Sequence, residues 1–281
     1  MHPAPEHTPG ELFIVATPIG NLADASPRSL EILASVDMVA AEDTRRTQVL
    51  LTHYGIRARL TALHEHNEAA RGAQLVERLL AGESVALVSD AGTPLLSDPG
   101  YRLVGLAVDQ KITVRAVPGP SAITAALSVA GLPTDRFVFE GFLPSRAAAR
   151  KTLLQSLQAE NRTLVFFESS HRIVASLEDL TREFGAERQA VICRELTKQF
   201  ETVLRGNLGQ LQNQVKEDVN QQKGEFVLVV AGAVTELEQN MLSAVKLATE
   251  LQAYLSGSQA ARVAAKLLNV SRRELYQLLQ K

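Results

Sequence analysis

One cysteine, Cys193, occurs in 281 residues. That scarcity excludes an internal disulfide, leaves no cysteine cluster for a structural metal, and suits a reducing compartment. An excess of either charge is also lacking: 29 Lys and Arg stand against 31 Asp and Glu, for a formal net charge of -2. Any affinity for nucleic acid must therefore come from local patches. No apolar run approaches the roughly 18 residues of a membrane span. Residues 1–11 hold three prolines and two histidines without the apolar stretch of a secretory signal. A cytoplasmic protein without a membrane anchor is the expectation. What is present is bulk: a chain of this length, 46% hydrophobic, exceeds one average domain and predicts two compact units.

The chemistry concentrates between Leu87 and Gly100. Val85 to Val88 is a short β-branched run bounded by Gly82 and Gly92, which reads as a strand covered on both faces. The loop after it carries two carboxylates, three hydroxyls, two glycines and two prolines, far more than a short connector needs. Asp98 and Pro99 read as the N-cap and first residue of a helix to about Gln110. A strand, a glycine-bearing loop and a helix place a ligand at the carboxyl end of an open α/β sheet.

The first half alternates strand and helix. Strands are predicted at Leu12–Ala16, Met38–Ala41, near Leu60–Leu63, at Val85–Val88 and at Ile112–Val117, with a helix opened by Ser26 and Pro27. This rhythm predicts a mostly parallel sheet with its post-strand loops on one edge. Further strands are predicted at Phe137–Phe139, Leu164–Phe167, Ala190–Cys193, Thr202–Leu204 and Phe226–Val230. Arg194 to Leu204 leaves no room for a crossover helix, so antiparallel pairing follows there. We expect an N-terminal α/β domain over 11–117, an α+β domain with a mixed sheet over 118–234, and a helical tail over 236–281, with a cleft between the first two. In the tail, Ser271-Arg272-Arg273-Glu274 reads as a capping box after a short turn, in the manner of a helix-turn-helix; a helical hairpin packed on the body fits as well.

Seven segments recur in a telling order: Thr17-Pro18-Ile19-Gly20-Asn21, Glu42-Asp43-Thr44-Arg45, His64-Glu65-His66-Asn67, Ser89 to Gly100, Pro118-Gly119-Pro120-Ser121-Ala122, Phe167-Glu168-Ser169-Ser170-His171-Arg172 and Gly224-Glu225. Together they resemble the small-subunit ribosomal RNA methyltransferases of the tetrapyrrole methylase superfamily, over roughly residues 11 to 234 and the tail. The resemblance implies a homodimeric two-domain enzyme. It would move a methyl group from S-adenosylmethionine to the 2'-hydroxyl of a cytidine in the decoding region of 16S rRNA in the small ribosomal subunit. Carried over by position, Pro18, Gly20, Gly92, Thr93, Leu96, Ser121, Ala122, Phe167 and Leu196 form the donor pocket. Glycine at 20, 92 and 119 fits a donor approached by backbone, and the hydroxyls of Thr93 and Ser121 suit its polar ends. Asn21 and Gly92-Thr93-Pro94 depart from the aspartate and Gly-Asp-Pro of tetrapyrrole-making relatives, which fits the RNA-modifying branch. The other readings are methylation of a small macrocycle and a non-catalytic nucleic-acid-binding protein.

A ribose hydroxyl is a poor acid, so a group that takes or orients its proton is expected. Glu42, Asp43, His64, Glu65 and Asp98 lie in the converging loops; Arg45, Arg46 and Arg172 suit phosphates, as do Arg272 and Arg273 in the tail. The alternative for Glu42 to Arg46 is a helix cap with self-paired charges, while His171 with Arg172 reads equally as support for the domain interface. His64 and His66 lack a third ligand at suitable spacing, so no metal is expected.

Overall fold

The computed structural model describes residues 9–234 and 236–280, with side chains from 239 onward in the second span. Five strands form the first sheet: β1 (Leu12–Val15), β2 (Met38–Ala41), β3 (Leu60–Ala62), β4 (Val85–Val88) and β5 (Val114–Val117). Between them run α1 (Pro27–Ser35), α2 (Thr44–His53), α3 (Glu68–Leu80) and α4 (Tyr101–Asp109). The order is β3-β2-β4-β1-β5 and every pairing is parallel. β4 is buried at all four residues, as its unbroken apolar run requires between two helical layers. Leu75, Leu79 and Leu103 cover one face of the sheet; Leu33, Leu50 and Leu51 cover the other.

α5 (Ala122–Ala130) leads into β6 (Phe137–Phe142), α6 (Ala147–Ser156), β7 (Thr163–Ser169), α7 (Ile173–Phe184), β8 (Gln189–Arg194), β9 (Thr202–Asn207), α8 (Leu208–Glu217) and β10 (Glu225–Val230). The second sheet is mixed, in the order β6-β7-β10-β8-β9; only β6 and β7 are parallel, joined through α6. β8 and β9 pair antiparallel, as their short connection demands. α5 packs on this sheet, and Ile19 from the loop after β1 joins the same cluster with Val191, Cys193 and Val227, so the two sheets share apolar contacts.

Several local signals behave as the residues dictate. Ser26 caps α1 by accepting from the Ser29 N–H, with Pro27 at its first position. Others do not. Asp98 does not cap α4, which starts at Tyr101 after Gly100 at φ 122°. The acceptor comes instead from α3: Oε1 of buried Glu68 takes the N–H of Gly100 at 3.0 Å and of Arg102 at 2.8 Å. A carboxylate on those donors frees Asp98 from the helix end. Glu68→Ala should cost about 2–3 kcal/mol, read as a lower urea midpoint at an unchanged slope. β5 begins at Val114, and β6 runs on to Phe142 across a bulge between Phe139 and Gly141.

The tail is three helices: α9 (Glu236–Leu251), α10 (Gly257–Leu267) and α11 (Arg272–Leu278). Alanines 244, 248, 260, 261 and 264 form their seam with Leu275. The Ser271 box is half formed: its hydroxyl accepts from the Glu274 N–H. Met241 and Leu242 of α9 share a groove with Pro133, Arg162 and Ala231, at the start of β7 and the end of β10. Among the described residues no helix is long and apolar enough to cross a membrane.

Candidate active site

A cavity of about 500 Å³ opens where the carboxyl ends of the first sheet meet one face of the second. Two backbone hydrogen bonds, Thr17 N–H to Gly92 O and Gly92 N–H to Thr17 O, both 2.9 Å, tie the β1 and β4 loops together. The Thr93 hydroxyl donates to Pro120 O at 3.1 Å and adds the loop before α5. Leu96 and Leu196 enter the cavity from opposite loops, each flanked by two residues with left-handed backbones: Leu95 (φ 77°) and Ser97 (72°), Glu195 (52°) and Thr197 (66°). Strained non-glycine backbone persists only where its surroundings hold it.

Carboxylates gather at one end, where Glu42, Asp90, Ser97, Asp98 and Arg46 line the wall. The adjacency of β2 and β4 brings Glu42 to Asp90, whose N–H donates to Glu42 Oε2 at 3.4 Å. Asp90 accepts from the Asp43 N–H at 2.9 Å and lies 3.5 Å from the Arg46 guanidinium. Burial raises the Glu42 carboxyl above its usual range, and Asp90 adds to it. Asp98 is pushed up to about 6, first by burial and then by Glu42 and Asp90, against the Ser89 hydroxyl. Apolar side chains line much of the rest, among them Ile19, Ile123, Phe142, Phe167 and Val227, with Glu168, Ser170 and Glu225 also present.

Ten of the residues picked from sequence line this cavity: Glu42, Arg46, Gly92, Thr93, Leu96, Asp98, Ser121, Ala122, Phe167 and Leu196. Eight do not. Ile19 lines it instead of Pro18 and Gly20. A Cβ at Gly20 would stand 2.4 Å from Cγ of Lys198, in the connection between β8 and β9, and one at Gly119 would be 3.0 Å from the Ala16 Cβ. Both glycines sit where loops pack closely. Asp43 caps α2 and is bidentate with Arg45, which holds its carboxyl at about 2, too acidic to take a proton at neutral pH. His64 and the exposed Glu65 also lie outside the cavity, His64 with a buried Nδ1 that has no hydrogen-bond partner. Arg172 is a strut, its guanidinium engaged by Glu168 at 2.8 Å, by the Ser169 hydroxyl and by Leu143 O. Arg272 donates to the Ser258 hydroxyl within the tail, and the exposed Arg273 stands beside it. Asp90, Ser97, Phe142 and Val227 were not singled out. Among the described residues no three metal-binding side chains cluster.

Two α/β layers meeting over such a cavity are the architecture of the tetrapyrrole methylase fold. The family model described as Tetrapyrrole (Corrin/Porphyrin) Methylases matches residues 11–212. A solved diphthine synthase is similar at TM-score 0.63 and 21% identity, covering 79% of this chain and 90% of that one. A uroporphyrin-III C-methyl transferase from Thermus thermophilus, solved complexed with S-adenyl homocysteine, is similar at TM-score 0.55 and 16% identity, covering 79% and 97%. More specific is a relative from Xylella fastidiosa (strain Temecula1), 54% identical over 96% of this chain and 98% of its own length, named Ribosomal RNA small subunit methyltransferase I. The chain belongs to that family of methyltransferases, whose methyl donor is S-adenosylmethionine.

Proposed function

We propose that this chain methylates the 2'-hydroxyl of a cytidine in the decoding region of 16S rRNA, within the small ribosomal subunit, as a cytoplasmic homodimer built from units 11–117, 118–234 and 236–281. The observation that carries the chemistry is the convergence of Glu42, Asp90 and Asp98 at one end of the cleft. S-adenosylmethionine supplies a methyl group already activated on a sulfonium. The residues present fit such a donor: its net positive charge matches the three carboxylates, and its adenosine matches Phe167, Leu196 and Val227. Ser121, whose hydroxyl makes no capping bond at the head of α5, and Ala122 offer polar contacts to its carboxylate.

The protein then has to hold the acceptor oxygen in line and remove its proton. Asp98 is the group suited to that step: it ionises near 6, so at neutral pH it is charged yet basic enough to accept a proton from a ribose hydroxyl as the new C–O bond forms. Glu42 and Asp90 raise its basicity, and Arg46, beside Asp90 yet 64% exposed at the rim, can also meet a phosphate. Arg272 and Arg273 lie in the tail, which sits a strand length, roughly 20 Å, from the cleft along β7, and would hold another part of the RNA.

Tritiated methyl transfer to small-subunit particles, free 16S rRNA and uroporphyrinogen tests this reading, with the label traced to an alkali-resistant linkage at one cytidine. Label on the macrocycle or on a base would overturn it. Arg272→Glu with Arg273→Glu should raise KM for the particle and lower its salt slope by about 2, at unchanged donor affinity. Unmoved kinetics would make the tail structural.

A further inference from the structure

One row of side chains crosses the second sheet in register: Phe142, Phe167, Val227, Cys193 and Val203, one from each strand. The first four line the cleft. Val227 and Cys193 are buried; Phe142, at the edge-strand end, is 52% exposed. Its ring is nonetheless held. The Phe167 ring meets it edge-on at 5.5 Å, and the Arg172 guanidinium lies 6.0 Å from its centroid, itself fixed by Glu168, Ser169 and Leu143. The bulge before it turns Gly141 to φ 70° and presses it on the loop that bears Asp98: a Cβ at 141 would stand 3.0 Å from Ser97 Oγ. A braced aromatic with one open side, on a strand pressed against the loop that bears Asp98, has the geometry of a stacking surface.

We propose that Phe142 is the platform on which the target nucleobase stacks once it has left its neighbours in the RNA, so that its ribose hydroxyl is delivered to the carboxylate end of the cleft. The inference rests on the RNA-methylation reading above and adds the residue that holds the base. In helical RNA the 2'-hydroxyl lies along the shallow minor groove, held above a donor at the bottom of a cleft; extrusion of the base onto an aromatic surface brings the ribose down to that donor and replaces the lost stacking. The platform takes a planar pyrimidine without reading its edge, which leaves base identity to other contacts.

The test uses full-length protein, reconstituted small-subunit particles, and particles whose target nucleotide is abasic. Phe142→Ala should lower kcat/KM for the intact particle about 10- to 100-fold, with the affinity for S-adenosylmethionine by calorimetry changed less than about twofold, and Phe142→Trp should keep most of the activity. The abasic particle should cost the wild-type enzyme as much as the substitution does, and cost Phe142→Ala nothing more. Donor affinity falling in step with kcat/KM would place the ring in the donor's own pocket and overturn the proposal. So would additive losses from the substitution and the abasic site. Failure of the wider reading is visible separately, since wild-type enzyme would then put no methyl on an RNA ribose.

Discussion

Asp98→Asn should lower kcat for methyl transfer by about 10²- to 10⁴-fold, the range for loss of a positioned proton acceptor, with little change in donor affinity. The pH dependence carries the sharper signature. Asp98 ionises at about 6 rather than its ordinary 3.8 because burial and then Glu42 disfavour its charge. Wild-type kcat should therefore climb on the acid side and level off above about pH 6, and the variant should lack that limb. Stability moves the other way. Between the two values the folded protein holds more protons than the unfolded chain, so the contribution of this group falls as pH rises through that window. At pH 7 to 8 the wild type bears the whole cost of a buried charge that asparagine lacks. The variant should melt a few degrees higher there, an advantage that vanishes below about pH 4. A variant that is slow but retains the acid limb would assign the proton transfer to another group.

Gly92→Val should abolish donor binding, with a dissociation constant for S-adenosylmethionine raised more than about 100-fold, while the far-ultraviolet circular dichroism stays native. Gly92 has φ 82°, a region a β-branched residue occupies at a cost of about 1–3 kcal/mol. A Cβ there stands 3.2 Å from Ile19 Cγ2, inside the cleft wall. The reciprocal bonds between Thr17 and Gly92 would have to yield, and with them the spacing of the β1 and β4 loops. Calorimetry decides it; unchanged affinity would put the donor elsewhere.

The strand pattern was legible because β2 and β4 are buried runs, and the four-residue bounds of both emerge directly from their apolar residues. What escaped was set by partners distant in sequence. Ser97-Asp98-Pro99-Gly100 has the composition of a helix cap, yet the acceptor on those donors is Glu68, over 30 positions away. Asp90 lies inside a segment already chosen, but its carboxylate matters only because β2 lies beside β4, an adjacency that a simple sequential sheet would not have. The apolar alternation of β6 breaks at Glu140 and Gly141, so the strand reads as ending at Phe139; the bulge absorbs the break and carries Phe142 to the rim. Asp43 and Arg45 read as chemistry, with a self-paired cap as the alternative, and the hydrogen bonds within the pair were not legible in the sequence.

The order of the first sheet also bears on how the chain is made. β1 emerges first from the ribosome, yet its two neighbours, β4 and β5, end at residues 88 and 117. At synthesis rates of about 5–20 residues per second, the nascent strand Leu-Phe-Ile-Val waits on the order of ten seconds with both edges open. That interval, rather than any feature of the finished molecule, is when this protein is most exposed to mispairing and most dependent on chaperones.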